Sequence, residues 1–261
     1  MNKKITLQGI LFDEKSSHLR GPALAPPLIR KAYHSTSANY FSENGTEIEP
    51  EVWTDTGDFE IENYFDIENI TAKNLEFQNP LLTLGGDHSI TFPVLKAHFE
   101  KYGAVDILHI DAHADLYDNF EGDTYSHACP FARIMENKLA NRLVQIGIRT
   151  LSKHQKKQAD IFGVEIIQMK DFDSNHLPVF ENPLYVSLDI DALDPAFAPG
   201  VSHHEPGGLS TREVLRIIQN INVSIIGADI VEYNPKRDSN DMTAMVSAKL
   251  LKEIAAKMLQ I

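Results

Sequence analysis

Asp111, His113 and Asp115 recur at every second residue in the stretch His109-Ile110-Asp111-Ala112-His113-Ala114-Asp115, directly after the apolar run that begins at Val105. In an extended chain alternate side chains share a face, so the three are expected to project together from the end of a buried strand. Two carboxylates and an imidazole offer hard oxygens and one intermediate nitrogen, a donor set for a divalent metal. Without a cation between them the same groups would repel or neutralise one another. A solvated polar strand end would explain this stretch taken alone. A second stretch, Leu184-Tyr185-Val186-Ser187-Leu188-Asp189-Ile190-Asp191, repeats the design with carboxylates two apart. A third, Leu82-Thr83-Leu84-Gly85-Gly86-Asp87-His88-Ser89, runs a strand into a Gly-Gly turn and a histidine. Together they offer four carboxylates and two imidazoles, more than one ordinary site holds. The number fits two ions sharing bridging carboxylates.

The elements that must position these groups alternate. Mostly unbroken apolar runs at 5–12, 81–84, 105–110, 143–148, 164–169, 184–188 and 224–230 predict strands covered on both faces. Helices are expected over 27–33, 91–102, 130–140, 152–162, 211–220 and 242–259. Ser210-Thr211-Arg212-Glu213 reads as a capping box opening the fifth of them. The alternation predicts an α/β fold: one three-layer α/β/α domain over 1–261, with a mainly parallel sheet of about eight strands. Ligands bind such sheets beyond the carboxyl ends of the strands, where all three motifs lie. Residues 35–68 are the least regular part and read as a surface excursion with a short strand at Val52-Trp53-Thr54. The loops 117–126 and 194–208 leave the metal-bearing strands directly, so substrate selection is expected there.

Composition narrows the classes. The chain has 261 residues, with 43% hydrophobic and 23% charged, ordinary for a globular protein. A net charge of −13 disfavours nucleic acid and anionic membranes as partners and favours cationic substrates. One cysteine, Cys129, rules out an intramolecular disulfide and a thiolate metal cluster. No run approaches the ~20 apolar residues of a membrane span. A cytoplasmic location is the expectation.

The motifs Gly85-Gly86-Asp87-His88-Ser89, Asp111-Ala112-His113-Ala114-Asp115, Ser187-Leu188-Asp189-Ile190-Asp191 and Asp229-Ile230-Val231-Glu232-Tyr233-Asn234-Pro235 resemble, in order and spacing, those of the arginase–agmatinase ureohydrolases. Tyr125-Ser126-His127-Ala128 and Met242-Thr243-Ala244-Met245-Val246 look closest to the agmatinase-like branch that includes plant arginases. The resemblance implies two Mn²⁺ per chain. His88, Asp111, Asp115 and Asp189 would hold one ion, and Asp111, His113, Asp189 and Asp191 the other. Such a pair can generate hydroxide at neutral pH, which a poorly electrophilic guanidinium requires. The resemblance also makes His127 a proton relay lining the substrate channel, suited to it by an ordinary pKa of ~6.5. Asp115 would hand a proton to the leaving amine, and Glu232 would orient the guanidinium through paired hydrogen bonds. Asn119 and His203 are expected substrate contacts, and a homo-oligomer, trimer or hexamer, is implied. Without the resemblance, His127 would read as a surface histidine and Glu232 as a strand-end ion pair. Asp87 and Asp194 are expected to support ligands or form turns, and Cys129 to fill space.

The loop Leu116-Tyr117-Asp118-Asn119-Phe120-Glu121-Gly122-Asp123-Thr124 is acidic and has no Lys or Arg. An α-carboxylate would meet Asp118, Glu121 and Asp123 there, whereas the terminal ammonium of agmatine would be attracted. The expected reaction is therefore agmatine to putrescine and urea. Hydrolysis of L-arginine to L-ornithine and urea is the alternative, because plant arginases share much of this loop. Single-zinc deacetylases and a non-catalytic, metal-stabilised binding protein are the rivals. The presence of all six ligand positions, His127 and Glu232 argues against both.

Overall fold

The structure, a computed structural model, describes residues 3–260. Its strands are β1 (Ile5–Leu11), β2 (Trp53–Glu60), β3 (Leu81–Leu84), β4 (Val105–Ile110), β5 (Ala140–Ile148), β6 (Glu165–Gln168), β7 (Leu184–Asp189) and β8 (Ile225–Val231). They form one sheet in the order β2-β1-β3-β8-β7-β4-β5-β6, and every neighbouring pair is parallel. The helices are α1 (Ala25–Tyr33), α2 (Asp66–Leu75), α3 (Thr91–Tyr102), α4 (Pro130–Glu136), α5 (Lys153–Phe162), α6 (Thr211–Gln219) and α7 (Met242–Gln260).

Two apolar clusters divide the helices between the faces of the sheet. One joins Ile29 of α1, Leu215 of α6 and Leu251 of α7 to Leu82, Leu108 and Val186. The other joins Ile67 of α2, Leu95 of α3, Phe131 of α4 and Ala159 of α5 to Ile107, Leu143 and Tyr185. Strands β3, β4 and β7 are buried at every position, as their unbroken apolar runs require. These strands and β8 are the four central ones, and the three motifs and Glu232 follow their carboxyl ends. The expected three-layer α/β architecture is the one observed.

Local differences have local causes. Strand β2 runs for eight residues instead of three. It is an edge strand, pairing only with β1, so its outer residues are polar and hide the pattern. Helix α2 was not expected; only Ile67, Thr71, Asn74 and Leu75 of it are buried, too few for a clear apolar stripe. Helix α4 stops at Glu136 rather than continuing to 140, because Lys138 adopts a positive φ of 55°. The capping box at Ser210 and Glu213 forms as expected, and Ser152 with Gln155 caps α5 in the same way.

The Gly85-Gly86 turn is wedged between the ends of β1 and β8. Gly86 O accepts the Glu232 N–H at 2.9 Å, and Phe12 O accepts the Asp87 N–H at 3.0 Å. A Cβ on Gly86 would lie 1.6 Å from the Phe12 carbonyl oxygen, which is backbone and cannot swing aside. Gly86→Ala should therefore cost about 3 kcal/mol, a fall in Tm of roughly 6–12 °C. Calorimetry of the variant against the parent chain checks this, and an unchanged Tm would contradict the wedge.

Candidate metal centre

Strand β4 ends at Ile110, so Asp111, His113 and Asp115 lie beyond the pleat and strand alternation is not what aligns them. A repeated turn does so instead. The carboxylate of Asp111 accepts the His113 N–H at 2.7 Å, that of Asp189 accepts the Asp191 N–H at 2.7 Å, and that of Asp87 accepts the Ser89 N–H at 3.1 Å. Each motif thus bends its chain with its own first carboxylate. Asp191 likewise falls in a single 3₁₀ turn after β7 rather than on the strand. Asp115 takes a φ of 48° and Glu232 one of 62°, left-handed conformations that non-glycine residues seldom adopt.

His88 is fully buried at the centre of the cluster. Its Nδ1 lies 3.1 Å from Asp111, 3.2 Å from Asp115 and 3.1 Å from Asp189, carboxylate oxygens in every case. The other nitrogen settles which tautomer is present. Ser187 Oγ–H donates to Asp229 at 2.7 Å, so Ser187 can only accept from His88 Nε2–H, at 2.9 Å. Asp229 is itself held by Thr91 and Tyr185 hydroxyls. Nδ1 is consequently the nitrogen that faces the three carboxylates, and it has no hydrogen-bond partner in that geometry; without a cation the carboxylates favour a proton on it, and a cation would take that proton's place. Burial lowers the His88 pKa, yet Asp111, Asp115 and Asp189 raise it well above the ordinary value. Burial, then Asp191 and Asp111, likewise drive the Asp189 carboxyl well up. Positive charge is what this geometry lacks, and a sulfur-free set of carboxylates and imidazoles fits a divalent cation.

Among the described residues two groups bring ligand atoms within 4.8 Å of one another: His88, His109 and Asp111, and Asp111, His113 and Asp191. Asp111 belongs to both. His109 is a residue that sequence reading passed over, although it precedes Asp111 by two. Its Nδ1 accepts from Gln145 at 3.0 Å, so its Nε2–H donates to Asp111 at 2.7 Å and aims that carboxylate.

Glu232 Oε1 accepts the His88 N–H and faces His127 Nδ1, both at 2.9 Å. Its Oε2 has no donor among the described residues and belongs to a residue lining a cavity of about 260 Å³. Burial lowers the pKa of His127, but the Glu232 carboxylate outweighs it and lifts the ring to about 9. His113, Asp115, Asp189, Asp191, His127 and His203 line the same cavity, joined by Ser17, Tyr117, Phe120, Thr150 and Gln155, none of which carried a recognisable signal. The His203 ring lies 5.3–5.6 Å from those of His18, His113 and His127, and burial pushes its pKa down to about 4.

Two expectations about the loops change. Asn119 is exposed, does not line the cavity, and accepts the Gly122 N–H at 2.8 Å, which makes it a turn former. Two of the three acids of its loop have partners, Asp123 pairing with Lys15 at 2.7 Å and Asp118 lying 3.0 Å from His154, while Glu121 is exposed. Arg149 does not reach the cavity, because its guanidinium is bonded to the backbone carbonyls of Asp191 and Glu205. Asp87 and Asp194 do form turns, Asp194 by accepting from Ala196, Gly207 and Gly208.

The model of the Arginase family matches residues 3–256. The chain belongs to the arginase family. It is 48% identical to Arginase 1, mitochondrial, of Arabidopsis thaliana, over 97% of this chain and 80% of that protein. An agmatinase of Bacillus cereus is 31% identical, over 96% of this chain and 90% of that one. The solved arginase of Medicago truncatula superposes with a TM-score of 0.93 at 46% identity, covering 98% of this chain and 87% of that one. The chain is thus a ureohydrolase of a metalloenzyme family that acts on guanidino C–N bonds. The cytoplasmic expectation is corrected: composition does not carry it, and the Arabidopsis relative is named mitochondrial. Composition could not discriminate, because a matrix enzyme and a cytosolic one need the same soluble, disulfide-free surface.

Ser187 is the acceptor that fixes the His88 tautomer. Removing it as Ser187→Ala should weaken divalent-ion affinity about 10–100-fold, the usual loss when a ligand's supporting bond goes. Chelator competition reads this directly, and unchanged affinity would refute the tautomer argument.

Proposed function

We propose that this pocket hydrolyses L-arginine to L-ornithine and urea, with residues 1–261 acting as one ureohydrolase domain. The observation that carries the choice of substrate is the pairing of Asp123 with Lys15. One of the three acids expected to repel an α-carboxylate is paired from outside its own loop, which weakens the field argument for agmatine. Greater identity to the Arabidopsis arginase than to the Bacillus cereus agmatinase supports the same reading.

Manganese is the assigned cofactor, two ions per chain. His88, Asp111, Asp115 and Asp189 would hold one, and Asp111, His113, Asp189 and Asp191 the other. The bare Nδ1 of His88 among three carboxylates supports this assignment. Such ions lower the pKa of water and stabilise negative charge as it develops.

The remaining tasks fall to side chains of the chain itself. Glu232 offers Oε2 to the guanidinium while its Oε1 stays tied to His88 N–H and His127, so the carboxylate cannot swing away. A carboxylate fixed in this way orients the electrophilic carbon before attack. Asp115 stands at the boundary between the buried cluster and the cavity, where it can take a proton from the attacking water and give it to the departing amine nitrogen. His127 holds a proton on Nδ1 against Glu232. Tyr117 and Phe120 wall the cavity with aromatic surface that limits water entry.

Urea release from manganese-loaded enzyme should give a higher kcat/KM for L-arginine than for agmatine at every ionic strength. A preference for agmatine that shrinks as salt screens the acidic loop would restore the field argument instead. Glu232→Gln should lower kcat/KM at least about 100-fold, or roughly 2.7 kcal/mol, by removing one half of a buried charge pair. Elemental analysis of the same variant should still find two manganese ions per chain; a single ion in variant and parent alike would remove the paired-ion assignment.

A further inference from the structure

Both ring nitrogens of His127 are engaged, and only one partner has been given a role so far. Nδ1 faces Glu232, while Nε2 lies 2.8 Å from Ser17 Oγ and 3.2 Å from Ser17 N. Ser17 sits in the loop between β1 and α1; it is exposed and lines the cavity. Exposed serines in loops usually swing freely, but this one is fastened on its N-terminal side. Lys15 N–H and Ser16 Oγ–H donate to Asp87 at 3.0 and 3.3 Å, and His127 N–H donates to Lys15 O at 3.2 Å. Lys15 Nζ is anchored on Asp123 at 2.7 Å. The same Asp87 carboxylate shapes the turn that carries His88, so the loop and the metal cluster share one support.

An amide N–H cannot point at a nitrogen that already bears hydrogen. The Ser17 amide therefore favours the neutral ring, with Nε2 bare and the proton on Nδ1 directed at Glu232, whereas the Glu232 carboxylate favours the charged ring by lifting its pKa to about 9, so the two contacts oppose each other at Nε2. Glu232 cannot also carry protons away, because its Oε1 has two donors and its Oε2 is committed to substrate. The hydroxyl at Nε2 is the remaining exit.

We infer that Ser17 is a positioning residue for His127 and that its hydroxyl is the outlet through which the ring exchanges its proton with cavity water. From the charged ring, the proton on Nε2 passes to Ser17 Oγ as the original Oγ–H passes to water, leaving the neutral ring with its remaining proton on Nδ1. One N–H bond breaks, one O–H bond is exchanged, and the excess proton leaves on water with nothing oxidised or reduced. In the reverse sense the same path recharges the ring.

The inference rests on the ureohydrolase reading of this pocket. The test compares Ser17→Ala and Ser17→Thr with the parent enzyme, manganese-loaded, on whichever of L-arginine and agmatine is turned over. A preference for agmatine would then overturn the arginine reading alone. Ser17→Ala should lower kcat about tenfold or more while KM stays within about twofold, because proton handling rather than binding is lost. Metal content should not change. Ser17→Thr keeps the hydroxyl and should recover most of the rate, and added imidazole should partly rescue Ser17→Ala. Parent-like kcat in Ser17→Ala, a loss confined to KM, or Ser17→Thr as slow as Ser17→Ala would overturn the inference.

Discussion

Carboxylates crowded around an imidazole nitrogen, deep inside a parallel sheet, are the constraint to which the rest of the molecule answers. His88 Nδ1 faces Asp111, Asp115 and Asp189 at 3.1–3.2 Å with no hydrogen bond of its own. Burying unpaired negative charge costs several kcal/mol per group, so such a cluster persists only where a cation compensates it or the scaffold enforces it. The scaffold here is the four central strands, whose apolar residues are covered on both faces and cannot shift register without exposing a core. That rigidity lets short turns at the strand ends hold like charges together.

Support for the cluster comes from neutral hydroxyls and amides. Ser187 passes the His88 proton bond on to Asp229, which Thr91 and Tyr185 also hold. Gln145 and His109 do the equivalent for Asp111. Each chain of bonds leaves one defined atom of each ligand pointing inward, and a metal site needs that definition more than it needs any single contact. The positive φ angles at Asp115 and Glu232 belong to the same economy of position: strained backbone places two carboxylates where a relaxed turn would not.

The outer part of the pocket obeys different rules. Its residues come from loops far apart in sequence, and their charges are set by partners from other loops. Lys15 reaches Asp123 across 108 positions, and Ser17 reaches His127 across 110. An acidic loop read in isolation therefore omits the lysine that pairs with one of its acids, and Asn119, an expected substrate contact, accepts a bond within its own turn.

Ligand types, their strand-end placement and the layered parallel sheet were legible in the sequence. They depend on local periodicity and on unbroken apolar runs, which a chain cannot disguise: β3 and β4 begin and end where their hydrophobic residues do. Edge strand β2 and helix α2 were less legible because each buries a single narrow face, so polar residues dominate their composition. What only the tertiary structure decided was direction and pairing. The tautomer of His88, the aim of Asp111 through His109, the neutralising of Asp123 by Lys15 and the meeting of Ser17 with His127 are all contacts between distant segments. Electrostatic and hydrogen-bond energies fall steeply with distance and angle. A sequence records which groups are present, whereas the fold determines which of them lie within the few ångströms at which they act.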